Sequence, residues 1–533
     1  MALFEIILSG ILASVAVVNL FMNYKVDLQM MQQNSYRNNR YFKWWKTNND
    51  YCSVSRIVDL IVLLLMLSQF NKIYVVIPLS TGILAAKAAI LAKKKYKKPL
   101  VFTKRVWRLF ITMCVFSAIV TAIVAFSFVS DAKQAIYAGT STLVALNVAS
   151  WLVLVISNRI MKPVESAINK MYIDDARRLL RQMPDLKIVG ITGSYGKTST
   201  KHYLHRILSE QFDVLMTPGS FNTPMGVVRT VRELMKPYNN VFIVEMGAKQ
   251  KGDIREICDI VHPEIGIVTA VGEQHLESFK SIENVQRTKF ELIDALPQNG
   301  FAVVNDDFPF IANREIENVK TCRYAVKNTT NATYRATDIQ YGEFGTRFTI
   351  IGENRHISLE TRLVGECNIS NLMAAVIVAL HLGVDEDKIR FAVSKIEQVE
   401  HRLNMKRTPA GVTIIDDAFN SNPDGSRMAL DVLARMTSGR RIIVTPGMIE
   451  LGAKQAELNR TFGTLIANSC DFAIIVGQYN REAIVEGIQQ AGKLNENAVI
   501  LAESFADAQH KLSGLLKTGD TVLYENDLPD TFK

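Results

Sequence analysis

Cysteine is scarce in this 533-residue chain. Cys52, Cys114, Cys258, Cys322, Cys367 and Cys470 are scattered, with no CxxC pair and no Cys/His cluster. That excludes a disulfide framework and a zinc site and reads as reduced thiols. A basic leader is missing too. Glu5 is the only early charge and no clear cleavage site follows, so the first apolar stretch is not a cleaved signal peptide. No internal repeat or low-complexity tract stands out. Acid is scarce at one end only. Residues 1–162 carry 19 Lys/Arg against 5 Asp/Glu, net +14, and the remainder nets −5. The basic balance therefore belongs to the N-terminal part and does not argue for a nucleic-acid partner.

What is abundant is apolar sequence: 48% of residues are hydrophobic, high for a soluble enzyme. Four or five apolar runs fill the N-terminal part, at about 3–22, 57–70, 73–92, 107–129 and 135–157. Crossing the hydrocarbon core takes roughly 20 residues, so the second run is short. Two connections are basic. One holds Lys25, Arg37, Arg40, Lys43, Lys46 and Arg56; the other holds Lys93, Lys94, Lys95, Lys97, Lys98, Lys104 and Arg105. The other two hold only Lys72, and Asp131 with Lys133. Basic loops stay cytoplasmic. The expectation is a bundle of five spans over 1–162, with the N-terminus outside and everything after about 158 in the cytosol. Tyr41 to Lys46 reads as an interfacial aromatic belt. Few charges fall within the runs (Asp59 and Lys87, near ends), which weighs against a membrane transport ATPase.

Residues 163–186 read as a linker helix, with Ala167, Ile168, Met171, Ala176, Leu179 and Leu180 roughly on one face. After Pro184 the pattern becomes β-α alternation. Strands are expected at 187–192, 241–245, 265–269 and 301–304, with helices at 198–211 and 282–296. That order argues for a mostly parallel sheet covered on both faces. A β-rich patch at about 333–362 interrupts it. A second series has strands near 412–416, 440–445, 472–476, 498–501 and 521–524, with a hinge around 395–410. The fold class is α/β: a helical membrane bundle, a phosphate-loop central domain over 187–398 and a Rossmann-like domain over 399–533.

The sharpest motif is Gly193-Ser194-Tyr195-Gly196-Lys197-Thr198-Ser199, between a strand and a helix. Glycines let backbone N–H groups approach phosphate oxygens, and the helix N-terminus adds partial positive charge. Lys197 reaches terminal phosphates and Thr198 supplies a hydroxyl to Mg²⁺. Only two residues separate Gly193 from Gly196, fewer than the usual four. Glu245 ends a parallel strand, where side chains face the ligand crevice, and is a second Mg²⁺ candidate. His275 follows the strand at 265–269 and is open to metal or structural use. Physics alone does not select Lys289, since a helical lysine is as a rule solvated. His401-Arg402 and the loop Asp416-Asp417-Ala418-Phe419-Asn420-Ser421-Asn422-Pro423 read either as a turn or as nucleotide contacts from a closing second domain.

Taken together, these segments resemble the Mur ligase family, most closely its MurF type. They include TGSYGKTST (192–200), SFNTPMG (220–226), EMGAKQKGDI (245–254), EQHLESF (273–279) and RTKFE (287–291). GECNISNLMAA (365–375), HR (401–402), DDAFNSNP (416–423) and GMIELG (447–452) extend the likeness over about 187–525. The resemblance implies an ATP-dependent ligase that activates a carboxylate as an acyl phosphate for attack by an amine. It further implies D-alanyl-D-alanine joined to a muramoyl peptide, cell-wall synthesis enzymes as partners and a bacterial inner-membrane location. By position it implies phosphate and Mg²⁺ binding by Lys197 and Thr198, and two magnesium ions held with Glu245, His275 and a carbamylated Lys289. Asn368 and Asn371 would lie near the adenine, and Arg402, Asp417 and Asn420 would reach the nucleotide from the C-terminal domain. Three departures bear on the acceptor. There is no room for an N-terminal UDP-sugar domain between the last apolar run and the loop. Pro446-Gly447-Met448 stands where Gly-Asp-Met is usual. Tyr524-Glu525-Asn526-Asp527 replaces a Lys-Gly-Ser run.

Overall fold

The computed structural model describes residues 2–68, 73–94, 98–328, 330–342, 345–418 and 421–527. Lys72, Lys95 and Lys97 of the basic connections lie outside the described residues. The chain forms two compact units, residues 1–170 and 171–527.

The first unit is helical: Ala2–Gln33, Asn38–Thr47, Val54–Ser68, Ile73–Lys93, Lys104–Phe126, Ala132–Val148 and the start of Ser150–Arg181. Among the described residues, three helices are long and apolar enough to cross a membrane, or four if one bent pair is a single span. Five spans do not emerge, for two reasons. Val54–Ser68 has 15 residues, short of the roughly 20 needed. The last apolar run is broken at Ala149, where the flanking helices bend by 81°. The expected linker helix is the end of Ser150–Arg181, which carries Pro163 inside it.

The charges placed near span ends are in fact buried among the helices. Lys87 pairs with Asp59 and donates to Asn23 Oδ1 at 3.0 Å. Asn19 Nδ2 donates to Asp59 Oδ1 at 3.0 Å and to Asn147 Oδ1 at 2.7 Å. A turn further on, Asp27 accepts from Arg56, Tyr41 and Ser150. Asn19, Asn23 and Asp27 are four apart and so share one face of the first helix. A buried charge persists only when paired and hydrogen-bonded, and both acids are.

The second unit holds two sheets. The first contains β1 (Lys187–Thr192), β2 (Val214–Met216), β3 (Val241–Glu245), β4 (Ile265–Val268), β5 (Phe301–Asn305), β6 (Lys320–Ala325), β7 (Tyr334–Gly342), β8 (Gly345–Gly352) and β9 (Arg355–Thr361). Its order is β2-β3-β1-β4-β5-β6-β7-β8-β9. Pairing is parallel through β7, then antiparallel between β7, β8 and β9. Side chains alternate across the sheet. Val189 and Ile191 join one core with Ile243, Ile267 and the Glu366–His381 helix. Ile188 joins the opposite core with Phe242, Val244 and Val268. Burial on both faces explains why these strands read as continuous apolar runs.

The second sheet holds β10 (Asn404–Arg407), β11 (Thr413–Asp417), β12 (Arg441–Thr445), β13 (Phe472–Val476), β14 (Val499–Ala502) and β15 (Thr521–Glu525), in the order β10-β11-β15-β12-β13-β14. All neighbours are parallel except β10. The expected hinge therefore contains a strand: β10 lies within 395–410.

Two helices beside this sheet, Gln455–Ser469 and Arg481–Ala491, approach backbone to backbone. A Cβ added at Gly487 would lie 1.9 Å from Arg460 O, and one at Gly463 2.1 Å from Ile484 O. Gly487→Ala is therefore expected to destabilise the second unit by about 1–3 kcal/mol, as overpacking does. Urea denaturation checks this through a lower midpoint at unchanged slope.

Candidate active site

The site is built at the C-terminal ends of the strands, where open α/β sheets bind ligands. β1 runs into the loop at Gly193, and the helix Lys197–Leu208 starts after Gly196. Gly196 has φ +79°, and a Cβ there would lie 2.3 Å from Asn371 Oδ1. The turn thus needs glycine for conformation and for space. Ser194 fixes the loop from below: Gly272 N donates to its Oγ at 3.0 Å, and Oγ donates to Gly272 O at 3.1 Å. Tyr195 is half-buried with its ring edge-on to Phe308. Ser199 is buried in the first helical turn. Lys197 folds back and donates to the carbonyls of Gly193 and Ser194. These residues fit a nucleotide's phosphates: a cradle too tight for a Cβ, a helix N-terminus, and an ammonium resting on the loop.

Glu245 ends β3 beside this loop and is only 1% exposed. Its Oε2 accepts from Thr198 Oγ1 at 3.1 Å and pairs with Lys201 Nζ at 2.9 Å. Its Oε1 accepts from Asn222 Nδ2 at 3.0 Å. Burial alone would raise this carboxyl, but Lys201 and Lys197 outweigh burial and hold it below the usual range. Thr198 and Glu245 thus bring two hard oxygen donors together, a set that suits Mg²⁺ with its remaining positions taken by water or phosphate.

The other expected metal ligands are placed differently. His275 Nδ1 bonds Glu450 of the second sheet's domain. Burial lowers the His275 pKa, and Glu450 opposes the shift. Glu450 falls to about 2, because His275 and Lys249 outweigh its burial. Lys289 is 2% exposed and makes no ion pair among the described residues; burial and then the Lys197 charge push its pKa well down. Among the described residues no group of three or more His, Cys, Asp or Glu forms a metal cluster.

Asn368 and Asn371 lie on the buried helix Glu366–His381 and line the same cleft. Asn368 accepts from Tyr203 OH at 2.8 Å, and Asn371 from Thr200 Oγ1 at 3.3 Å. Arg402 and Asp417 line the cleft from the other domain. Arg402 sits between His401 (φ +58°) and Leu403 (φ +48°). A bulky residue at positive φ is strained. Leu403 N donates to Asp417 Oδ1 at 3.1 Å, which ties that segment to β11. Burial raises Asp417 to about 6, against the pull of Arg402. Asn420 lies outside the described residues.

Sequence reasoning missed Lys201, Asn222, Glu450 and Glu525. Asn222 and Glu450 stand inside recognised segments, and Lys201 lies one turn after Lys197. Nothing local marks any of the four, because the partner of each is distant in the chain.

A phosphate loop feeding a parallel sheet, a buried acid beside its threonine and a second α/β domain across the cleft define a two-domain nucleotide-dependent enzyme. Residues 191–379 match the Mur ligase middle domain, and 401–524 the Mur ligase glutamate ligase domain. The chain belongs to the Mur ligase family, whose members are ATP-dependent amide ligases.

It is 32% identical over 358 residues to the UDP-N-acetylmuramoyl-tripeptide–D-alanyl-D-alanine ligase of Mycobacterium tuberculosis, covering 63% of this chain and 70% of the relative. It is 28% identical over 305 residues to the same-named ligase of Bacillus subtilis, covering 55% of this chain and 65% of that relative. The crystal structure of MurF from Thermotoga maritima in complex with ADP aligns with a TM-score of 0.60 at 26% identity, covering 67% of this chain and 80% of that one. MurF from Acinetobacter baumannii aligns at 0.62 and 26% identity, covering 68% and 78%.

Burial, reinforced by the Arg402 charge, lowers Lys197 to about 8, with Glu245 opposing. Bound phosphates favour the ammonium, so above pH 8 nucleotide binding must take up a proton. ADP affinity is expected to be level below pH 8 and to fall by up to about tenfold per pH unit above it. Lys197→Met is expected to bind ADP at least about tenfold more weakly at pH 7, as loss of a charged hydrogen bond does, and to lose the alkaline fall. Calorimetric titration from pH 7 to 9.5 reads both.

Proposed function

We propose that this chain forms an amide bond between a peptide carboxylate and an amine, adding D-alanyl-D-alanine to a muramoyl tripeptide in peptidoglycan synthesis. The observation that carries this reading is the convergence of Lys197, Thr198 and Glu245 at the loop, within a chain whose relatives bear that activity's name. The loop amides and Lys197 bind the terminal phosphates of ATP. Thr198 and Glu245 hold Mg²⁺, with Lys201 and Asn222 orienting the Glu245 carboxylate. Bound Mg²⁺ neutralises phosphate charge during phosphoryl transfer. The substrate carboxylate attacks the γ-phosphorus, ADP leaves, and the amine nitrogen attacks the acyl carbon and expels phosphate. The second domain, carrying Arg402 and Asp417, excludes the water that would hydrolyse the acyl phosphate. Lys289, buried with no ion pair among the described residues and disfavoured as an ammonium, is the amine we assign to carbamylation and to a second metal position with His275. In this reading Asn368 and Asn371 border the adenine, and Asn420 belongs to the nucleotide contacts.

The N-terminal unit tethers the enzyme to the bacterial inner membrane, with three or four spans and the catalytic domains in the cytoplasm. Its apolar helices, standing where a UDP-sugar-gripping domain would precede the loop, favour a second reading of the acceptor. In that reading the chemistry is the same and the carboxylate is lipid-linked.

The full-length protein is expected to release ADP only when both a peptide carboxylate and D-alanyl-D-alanine are present. ATP turnover without them, and no amide by mass spectrometry, overturns the ligase reading. Running UDP-linked and lipid-linked acceptors side by side separates the two acceptor classes. Lys289→Ala is expected to cut amide formation by tenfold or more, roughly the loss seen when metal support is removed. Added short carboxylates should restore part of it, and full activity in the variant would remove Lys289 from the metal site.

A further inference from the structure

Two loops, one from each domain of the second unit, dock on each other. Residues 273–277 follow β4, and residues 450–454 follow β12. They meet so closely at Gly452 that a Cβ there would lie 3.2 Å from both Cα and N of Glu277. Glu277 N donates to Glu450 O at 3.2 Å, and Lys454 pairs with Glu273 at 2.5 Å. At the centre, His275 Nδ1 bonds Glu450 Oε2. Glu450 Oε1 accepts from Lys249 Nζ at 3.1 Å, and Lys249 stands just beyond Glu245 in the segment that leaves β3. One carboxylate of the second domain thus ties together the two segments that carry Glu245 and His275.

Both members of the central bond are strained. His275 has φ +53° and Glu450 φ +62°. Neither is glycine, and such a residue persists only where its surroundings over-determine it, as they do at functional sites and ligand clamps. The other ring nitrogen of His275, Nε2, makes no hydrogen bond among the described residues. A carboxylate on Nδ1 holds the proton on that nitrogen and leaves the Nε2 lone pair for a metal. The seam already has the Lys454–Glu273 and Lys249–Glu450 pairs. A strained imidazole with one nitrogen left open adds a ligand rather than another clamp.

We propose that Glu450 is the positioning residue for His275: from the opposite domain it orients the imidazole so that Nε2 can ligate the second magnesium ion. This rests on the metal reading above, in which His275 and Lys289 share that ion, and adds the residue that aims the histidine. The second metal position is then complete only when the two loops meet. The first, held by Thr198 and Glu245, is complete within one domain.

The test uses the full-length protein with ADP and bicarbonate present and Mn²⁺ as the probe, its free concentration read by electron paramagnetic resonance. Wild type is expected to bind two ions and His275→Ala one. Glu450→Ala is expected to weaken the second ion by about 10–100-fold, the usual cost of removing the outer partner of a metal-bound histidine, and to leave the first within about twofold. Glu450→Gln, which keeps an acceptor without the charge, should fall between Glu450→Ala and wild type. Lys249→Met, which breaks the other Glu450 pair and spares the histidine, should leave both ions within about twofold. In the His275→Ala background, Glu450→Ala should cause no further loss, since the two residues act as one unit. Either Glu450 variant binding the second ion as tightly as wild type overturns the proposal. So does an equal loss in Lys249→Met, which would make Glu450 a seam contact, or a parallel loss of the first ion. The metal reading fails separately. A single ion in wild type, or two ions retained in His275→Ala, removes His275 from the metal and Glu450 with it.

Discussion

A single buried negative charge organises this active site. Glu245 sits at the end of a strand whose every residue is buried, and an isolated carboxylate there would be far too costly to ionise. Three side chains from two segments remove that cost. Thr198 and Lys201 come from the first two turns of the helix Lys197–Leu208, and Asn222 from the segment before the next helix. Lys201 is itself fully buried and also donates to Gly219 O at 2.7 Å. Each group is held in place by the carboxylate it satisfies. Removing one partner of such a buried set strands the other, which is why breaking it costs more than making it contributes. The loop is thus rigid before any nucleotide arrives.

Much of the fold was legible because burial on two faces leaves a strong imprint. β1 and β3 were read to the residue, and β4, β5 and β11 to β15 to within a residue at either end, since each is a short apolar run bounded by turn-formers. β2, β6 and β10 were missed. β2 is only three residues long, β6 contains Lys320, Thr321 and Arg323, and β10 reads Asn-Met-Lys-Arg. β10 and β2 lie at sheet edges, where pairing on one side leaves composition weakly constrained. The number of spans was less legible for a related reason. Composition reported five apolar runs, but helix length and the break at Ala149 are set by packing, and the Asp59–Lys87 and Asp27–Arg56 pairs join residues 28 and 29 apart.

The site divides along the same line. The glycines, Lys197, Thr198 and Glu245 were legible because strand–loop–helix geometry fixes them within one βα unit, or at the end of the next strand but one. His275, Lys289, Asn368 and Arg402 were reachable only through family likeness. Their neighbours could not be read at all: His275 meets Glu450 across 175 residues, and Ser421 meets Glu525 across 104. The missing aspartate before Met448 shows how a departure is absorbed. Asn480 Nδ2 donates to Pro446 O and Met448 O, Met448 N donates to Asn459 Oδ1, and Asn526 Nδ2 donates to Gly447 O at 2.6 Å. Asn526 belongs to the other departing segment. Two departures that looked independent in sequence are thus one hydrogen-bonded unit.

The contacts joining the two domains of the ligase unit are of a different kind from those around Glu245. Lys249 pairs with Glu450 at 3.1 Å and Lys454 with Glu273 at 2.5 Å, both with solvent-exposed lysines, and Glu277 N donates to Glu450 O at 3.2 Å. Exposed pairs of this kind contribute about 0–1 kcal/mol each and are screened by salt. The sum is small against the burial within either sheet's core. The part-buried His275–Glu450 bond and the packing of Val364 against the second domain's core carry more of the seam than these exposed pairs do.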